Sequence, residues 1–109
     1  MIRLCVVWSD QRVRRFTLSG HSGYASSGKD IVCAAVSALV YNAVNSCEEF
    51  LHVSLPVEDE EIFECNIVAA QESMEKVQLL VQSMIFGVRQ IEKQYPGHVR
   101  VRDVREPNS

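Results

Sequence analysis

The sequence predicts an α+β fold of order ββαββαβ, a sandwich in which two helices pack on a mostly antiparallel sheet. Three observations lead there. Residues 2–8 and 12–19 are two runs rich in β-branched and aromatic side chains, separated only by the turn-forming Ser9-Asp10-Gln11. Two much longer segments repeat their apolar residues every three or four positions, the period of a helix with one buried face. Shorter stretches of alternating character lie between and after those helices.

Taken in order, the first two runs form an antiparallel hairpin. From Ile31 to Leu51 the apolar positions Val32, Val36, Leu39, Val40, Ala43, Cys47, Phe50 and Leu51 mark the first helix. Residues 53–57 and 62–69 read as strands joined by an acidic turn, Glu58-Asp59-Glu60-Glu61, with Phe63, Cys65, Ile67 and Ala69 on one face. Met74, Val77, Val81, Met84, Val88, Ile91 and Tyr95 trace a second helix, which Pro96-Gly97 stops. A last strand, residues 98–104, completes a single domain over residues 1–105, and residues 106–109 are expected to form a frayed tail.

Composition narrows the function classes. At 109 residues with 47% hydrophobic and 23% charged, the chain can bury one core without metals or disulfides. A net charge of −3 gives no general pull toward nucleic acid, so Arg12, Arg14, Arg15, Arg100, Arg102 and Arg105 read as solvated strand faces. Uninterrupted apolar runs are too short to span a bilayer, and the first residues lack the plan of a signal peptide. Cys5, Cys33, Cys47 and Cys65 include no C-x-x-C pair and no zinc spacing, which fits a reducing, cytoplasmic setting with no metal and no cofactor.

The segment from Gly20 to Val40 carries the chemistry. Gly23, then Gly28-Lys29, has the spacing of a phosphate loop, but Asp30 stands where Ser or Thr would hold magnesium, and the hairpin before it argues against the parallel sheet of such enzymes. The same segment sets His21 twelve residues before Cys33. With Asp30 as N-cap, Cys33 would be residue N3, in the first turn, where unpaired N–H groups and the helix dipole favour a thiolate. Cys33 lies roughly 60 to 70° from the centre of the buried face, suited to the edge of a cleft. Ser37 follows one turn behind, and Gly20, Gly23 and Gly28 make the linking loop one that closes over an extended substrate. Taken singly, these residues also admit plainer readings: His21 as a solvated loop residue, Cys33 and Ser37 as packing, Asp30 as a helix cap.

Gly20-His21, followed by Gly28-Lys29-Asp30-Ile31-Val32-Cys33-Ala34-Ala35-Val36-Ser37, closely resembles the signature of the ribosomal-processing cysteine protease (Prp) family. Outside residues 20–37 the likeness lies in element order and length, and in Gln94-Tyr95-Pro96 at the end of the second helix. The resemblance implies a small α+β homodimer whose Cys33 is the nucleophile and His21 the general base, with Asp30 and Ser37 in support. It implies a substrate, the precursor of a large-subunit ribosomal protein, cut after an aromatic residue and before a small one. Two other classes use the same residues differently: a redox-responsive module needs Cys33 without His21, and a ribosome-associated binding module needs neither.

Overall fold

The computed structural model describes residues 1–20 and 27–107, with only the helical backbone for 27–30. Its elements run β1 (Ile2–Ser9), β2 (Arg12–Ser19), α1 (Ser27–Leu51), β3 (Val57–Asp59), β4 (Phe63–Asn66), α2 (Gln71–Gln94) and β5 (Val99–Arg105). The expected order is therefore the observed one. One five-stranded sheet has the order β3-β4-β2-β1-β5, and every pairing is antiparallel except β1 with β5.

The hairpin forms where the sequence places it. Asp10, at φ 54°, takes the left-handed conformation that a tight two-residue connection requires, and Asp tolerates it better than most residues. A register shift between Val7 and Trp8 bulges the pair, so that Trp8 faces Val13. One face of β1 then points inward as Ile2, Leu4, Val6 and Trp8, all buried.

Both helices cover that face. Val32, Val36, Val40, Ala43 and Cys47 of α1 are buried with Val77, Val81, Met84, Ile85 and Val88 of α2 against Leu4, Val6, Phe16, Leu18, Phe63 and Cys65 of the sheet. Burial of each such aliphatic side chain is worth about 1.5–3 kcal/mol, which makes this layer the main source of stability. The helices approach closely where Gly87 meets Leu39; a Cβ at residue 87 would stand 3.0 Å from the Leu39 Cδ1 atom. By length and mean hydropathy, 1.3 over Ile31–Leu51, α1 would also qualify to cross a membrane. Core helices of globular domains meet the same criterion, and the buried stripe of α1 is spent on the sheet.

Two polar devices fasten the margins. Beyond Asn66, where β4 stops pairing with β2, the Val13 N–H donates to Oε1 of Gln78 and the Val13 carbonyl accepts from Nε2, both at 2.8 Å. Gln78 is buried, and Gln82 donates to its Oε1 at 2.9 Å. At the other margin, Asp103 of β5 accepts from the Trp8 indole at 2.8 Å and from Arg89 of α2 at 2.7 and 2.8 Å, while Arg105 lies 5.0 Å over the Trp8 ring. Burial pushes the Asp103 carboxyl up, but the hydrogen bonds from Arg89 and Trp8 and the charges of Arg89 and Arg105 outweigh it and leave the group below its ordinary value.

Three expectations shift. Residues 53–56 are not a strand. His52, at φ 55°, ends α1 with its N–H still reaching the Glu48 carbonyl at 3.1 Å, and the Val53 N–H reaches the Cys47 carbonyl at 3.0 Å. Half-buried Val53 and buried Leu55 then pack on the core without a ladder partner. The acidic residues Glu58 and Asp59, expected in a turn, belong to β3, an edge strand where exposed charge is well tolerated, and residues 60–62 make the connection. Glu106, expected in the tail, donates its N–H to the Trp8 carbonyl at 2.8 Å and pairs with Arg14 at 3.3 Å.

Burial of Cys65, followed by the charge of nearby Cys47, pushes the Cys65 thiol up to about 12 from an ordinary value of 9.0. A thiol that titrates later in the folded chain contributes stability that is full below pH 9.0 and is lost as pH rises through about 12. Thermal melts from about pH 8 to about pH 11 should show the midpoint falling above pH 9, with a shallower fall for Cys65→Ala.

Candidate active site

Gly20 leaves β2 at φ 76°, and a Cβ there would collide with the Met1 carbonyl oxygen and lie 3.3 Å from the Ile2 Cα. Glycine is required at this point by both conformation and space. His21, Gly23 and the rest of the loop through Ser26 lie outside the described residues, so the expected loop closure and the His21–Cys33 approach lie outside them too.

α1 begins at Ser27, four residues ahead of the start that the periodicity of its apolar residues indicates. Ser27-Gly28-Lys29 offers no large apolar residue, which is why that periodicity does not reveal the extra turn. The consequence corrects the capping argument. Asp30 is not the N-cap but the fourth helical residue, and Gly28 is the second. Cys33 is the seventh, in the second turn, so its N–H is not one of the first four that lack an intrahelical acceptor. The field of the helix end falls off within the first turn, so the geometry no longer makes that field the main activator of Cys33.

Cys33 is half-buried and packs against the core cluster, and Ser37, half-buried too, follows at i+4. This is the edge position that the helical wheel indicates. On the opposite flank, Ala35, Leu39 and Asn42 share a groove with Ile91 of α2. Cys47 and Cys65 are fully buried, as their apolar runs imply, and burial pushes both thiols up. Cys5 is half-buried, and no disulfide joins any of the four. Among the described residues, no group of three or more His, Cys, Asp or Glu could hold a metal ion.

The fold has counterparts among solved structures. A Streptococcus mutans protein superposes with a TM-score of 0.90 at 28% identity, over 97% of this chain and 96% of its own. The ribosomal processing protease Prp from Staphylococcus aureus, solved with a substrate peptide, superposes at 0.80 with 22% identity, over 95% and 100% of the two chains, and supports the fold. In sequence, the ribosomal processing cysteine protease Prp of Bacillus subtilis is 33% identical over 100 residues, 84% of this chain and 87% of its own length. The class these similarities define is that of a cysteine protease. More narrowly, the family model described as cysteine protease Prp matches residues 1–100, and the chain belongs to that family.

Two outcomes follow from the geometry. Gly20→Ala should lower stability by more than about 1 kcal/mol in urea titration, because it adds left-handed strain to a backbone collision. In brief iodoacetamide labelling followed by peptide mapping, half-buried Cys33 should react well ahead of Cys47 and Cys65; early modification of either buried cysteine would contradict the packing.

Proposed function

We propose that the protein removes the N-terminal extension from a large-subunit ribosomal protein precursor, with Cys33 and His21 as its catalytic dyad. The observation that carries this reading is the position of Cys33: among the four cysteines it alone lies in the segment with the family signature, and α1 holds it at the margin of the core instead of within it. Membership of the cysteine protease Prp family supports the reaction type, and the S. aureus relative's substrate peptide supports a peptide as the ligand.

In this reading the Cys33 sulfur attacks the scissile carbonyl, and His21 takes the thiol proton and passes it to the departing amine. Water then enters with His21 again as base, splits the thioester and regenerates the thiol. With Cys33 in the second turn of α1, its activation rests chiefly on His21. Ser37 lines the site behind the sulfur, and Asp30 supports the start of the helix. The protein works in the cytoplasm, without a cofactor, as a homodimer; exposed Leu79 and Phe86, one heptad apart on α2, are apolar side chains that a second copy would cover.

Incubation with the precursor, and mass spectrometry of the product's N-terminus, tests the assignment. Wild type should cut once, after an aromatic residue, while Cys33→Ala, Cys33→Ser and His21→Ala should lose at least about a hundredfold in kcat/KM with melting temperatures close to wild type. Substantial cleavage by Cys33→Ala would overturn the nucleophile assignment, and full activity in His21→Ala would overturn the dyad.

A further inference from the structure

Tyr41 stands on the same flank of α1 as Cys33 and Ser37, at i+8 and i+4 from them, about 12 Å along the axis from the cysteine at 1.5 Å per residue. Its ring meets Phe63 of β4 edge-on, centroids 5.3 Å apart at 84°. Its hydroxyl donates to Oδ2 of Asp59, the last residue of β3, at 3.1 Å. Asp59 faces Phe63, and Phe63 faces Leu18, next to the final residue of β2. The turn at residues 60–62 therefore lies at the end of the sheet where the chain departs through Gly20 toward His21 and α1.

The other flank of α1 is occupied: Leu39 packs at Gly87, and Ile91 lies beside Ala35 and Asn42. A peptide bound along the helix from Cys33 would run on the Ser37 and Tyr41 side. On that side the β3–β4 hairpin is the neighbouring element, and β3 is weakly held. It is three exposed residues long, and within the sheet its sole partner is β4. Segments with few buried contacts open easily, so the tether from Tyr41 matters there.

We propose that Tyr41 is a positioning residue for the peptidase: through its bond to Asp59 it fixes the β3–β4 turn beside the flank of α1 that carries Cys33, Ser37 and Tyr41, and the turn aligns an extended substrate on that flank. This rests on Cys33 as the nucleophile. A tyrosine phenol is a donor at neutral pH in any case, and burial first, then the Asp59 hydrogen bond and charge, push that of Tyr41 further up. Tyr41 does not touch the reacting atoms, so its loss should weaken substrate alignment more than the chemical step.

Steady-state kinetics on a peptide spanning the precursor junction test this. Tyr41→Phe keeps the ring on Phe63 and removes only the donor; Asp59→Ala removes the acceptor. Both should raise KM about two- to tenfold, the worth of one net hydrogen bond, with kcat within about twofold of wild type. Asp59→Asn, whose amide oxygen still accepts, should recover most of what Asp59→Ala loses. Wild-type turnover with an unchanged KM in Tyr41→Phe overturns the inference alone, as does a fall in kcat at constant KM, which would place the effect at the thiol. A wild-type protein that leaves the peptide uncut overturns the peptidase reading and this inference with it.

Discussion

The molecule depends on one contact surface, the stripe of Val32, Val36, Val40, Ala43 and Cys47 laid on the inner face of the sheet. All five of those positions are β-branched or small, so α1 can lie close to Phe16, Leu18 and Phe63. Once the stripe is buried, the rotation of α1 about its axis is fixed, because turning it by one residue would carry a core valine into solvent. Every other direction around the helix then acquires a meaning. Leu39 faces Gly87, Cys33 is held at the boundary of the core, and Tyr41 reaches the β3–β4 hairpin.

That dependence explains why a reactive position can sit beside a hydrophobic core without belonging to it. Cys33 and Cys47 lie on the same helix, yet one is half-buried and the other fully buried. Their difference is angular, and the stripe sets the angle. The parallel pairing of β1 with β5 works at a longer range: it joins residues nearly the whole chain apart and, through Asp103, ties the outermost strand to Trp8 and to Arg89 of α2.

Much of this was legible because hydrophobic periodicity reports burial. The stripes of α1 and α2 and the β1–β2 hairpin all bury a regular set of side chains, and the observed elements agree with them to within a few residues. Periodicity is silent about polar residues, however, and so it missed the first turn of α1 at Ser27 and with it the true place of Asp30 and Cys33. It also misled at Val53 and Leu55, which alternate because one side packs on the core and not because a neighbouring strand pairs with them. Gln78 occupies a buried phase of α2 as a polar residue, a position whose purpose appears only when Val13 is seen without a strand partner on that side. Of the site, Cys33 falls at the margin of the buried face as the helical wheel indicates, while the Tyr41–Asp59 bond joins residues whose proximity no local pattern records.

The amide of Gln78 stands in for one residue of a neighbouring strand, filling both hydrogen-bonding positions of Val13 where β4 has ended. A sheet margin with a vacant N–H and carbonyl invites another molecule to add its own strand, and proteins commonly suppress this with charge, proline or a bulge. Here the covering helix supplies the plug from its buried face, and Gln82 holds it in place while donating to the Gln11 carbonyl as well. The protection against strand addition is thus built from the same packing that stabilises the fold, so loosening α2 would expose a hydrophobic surface and a sticky backbone edge together.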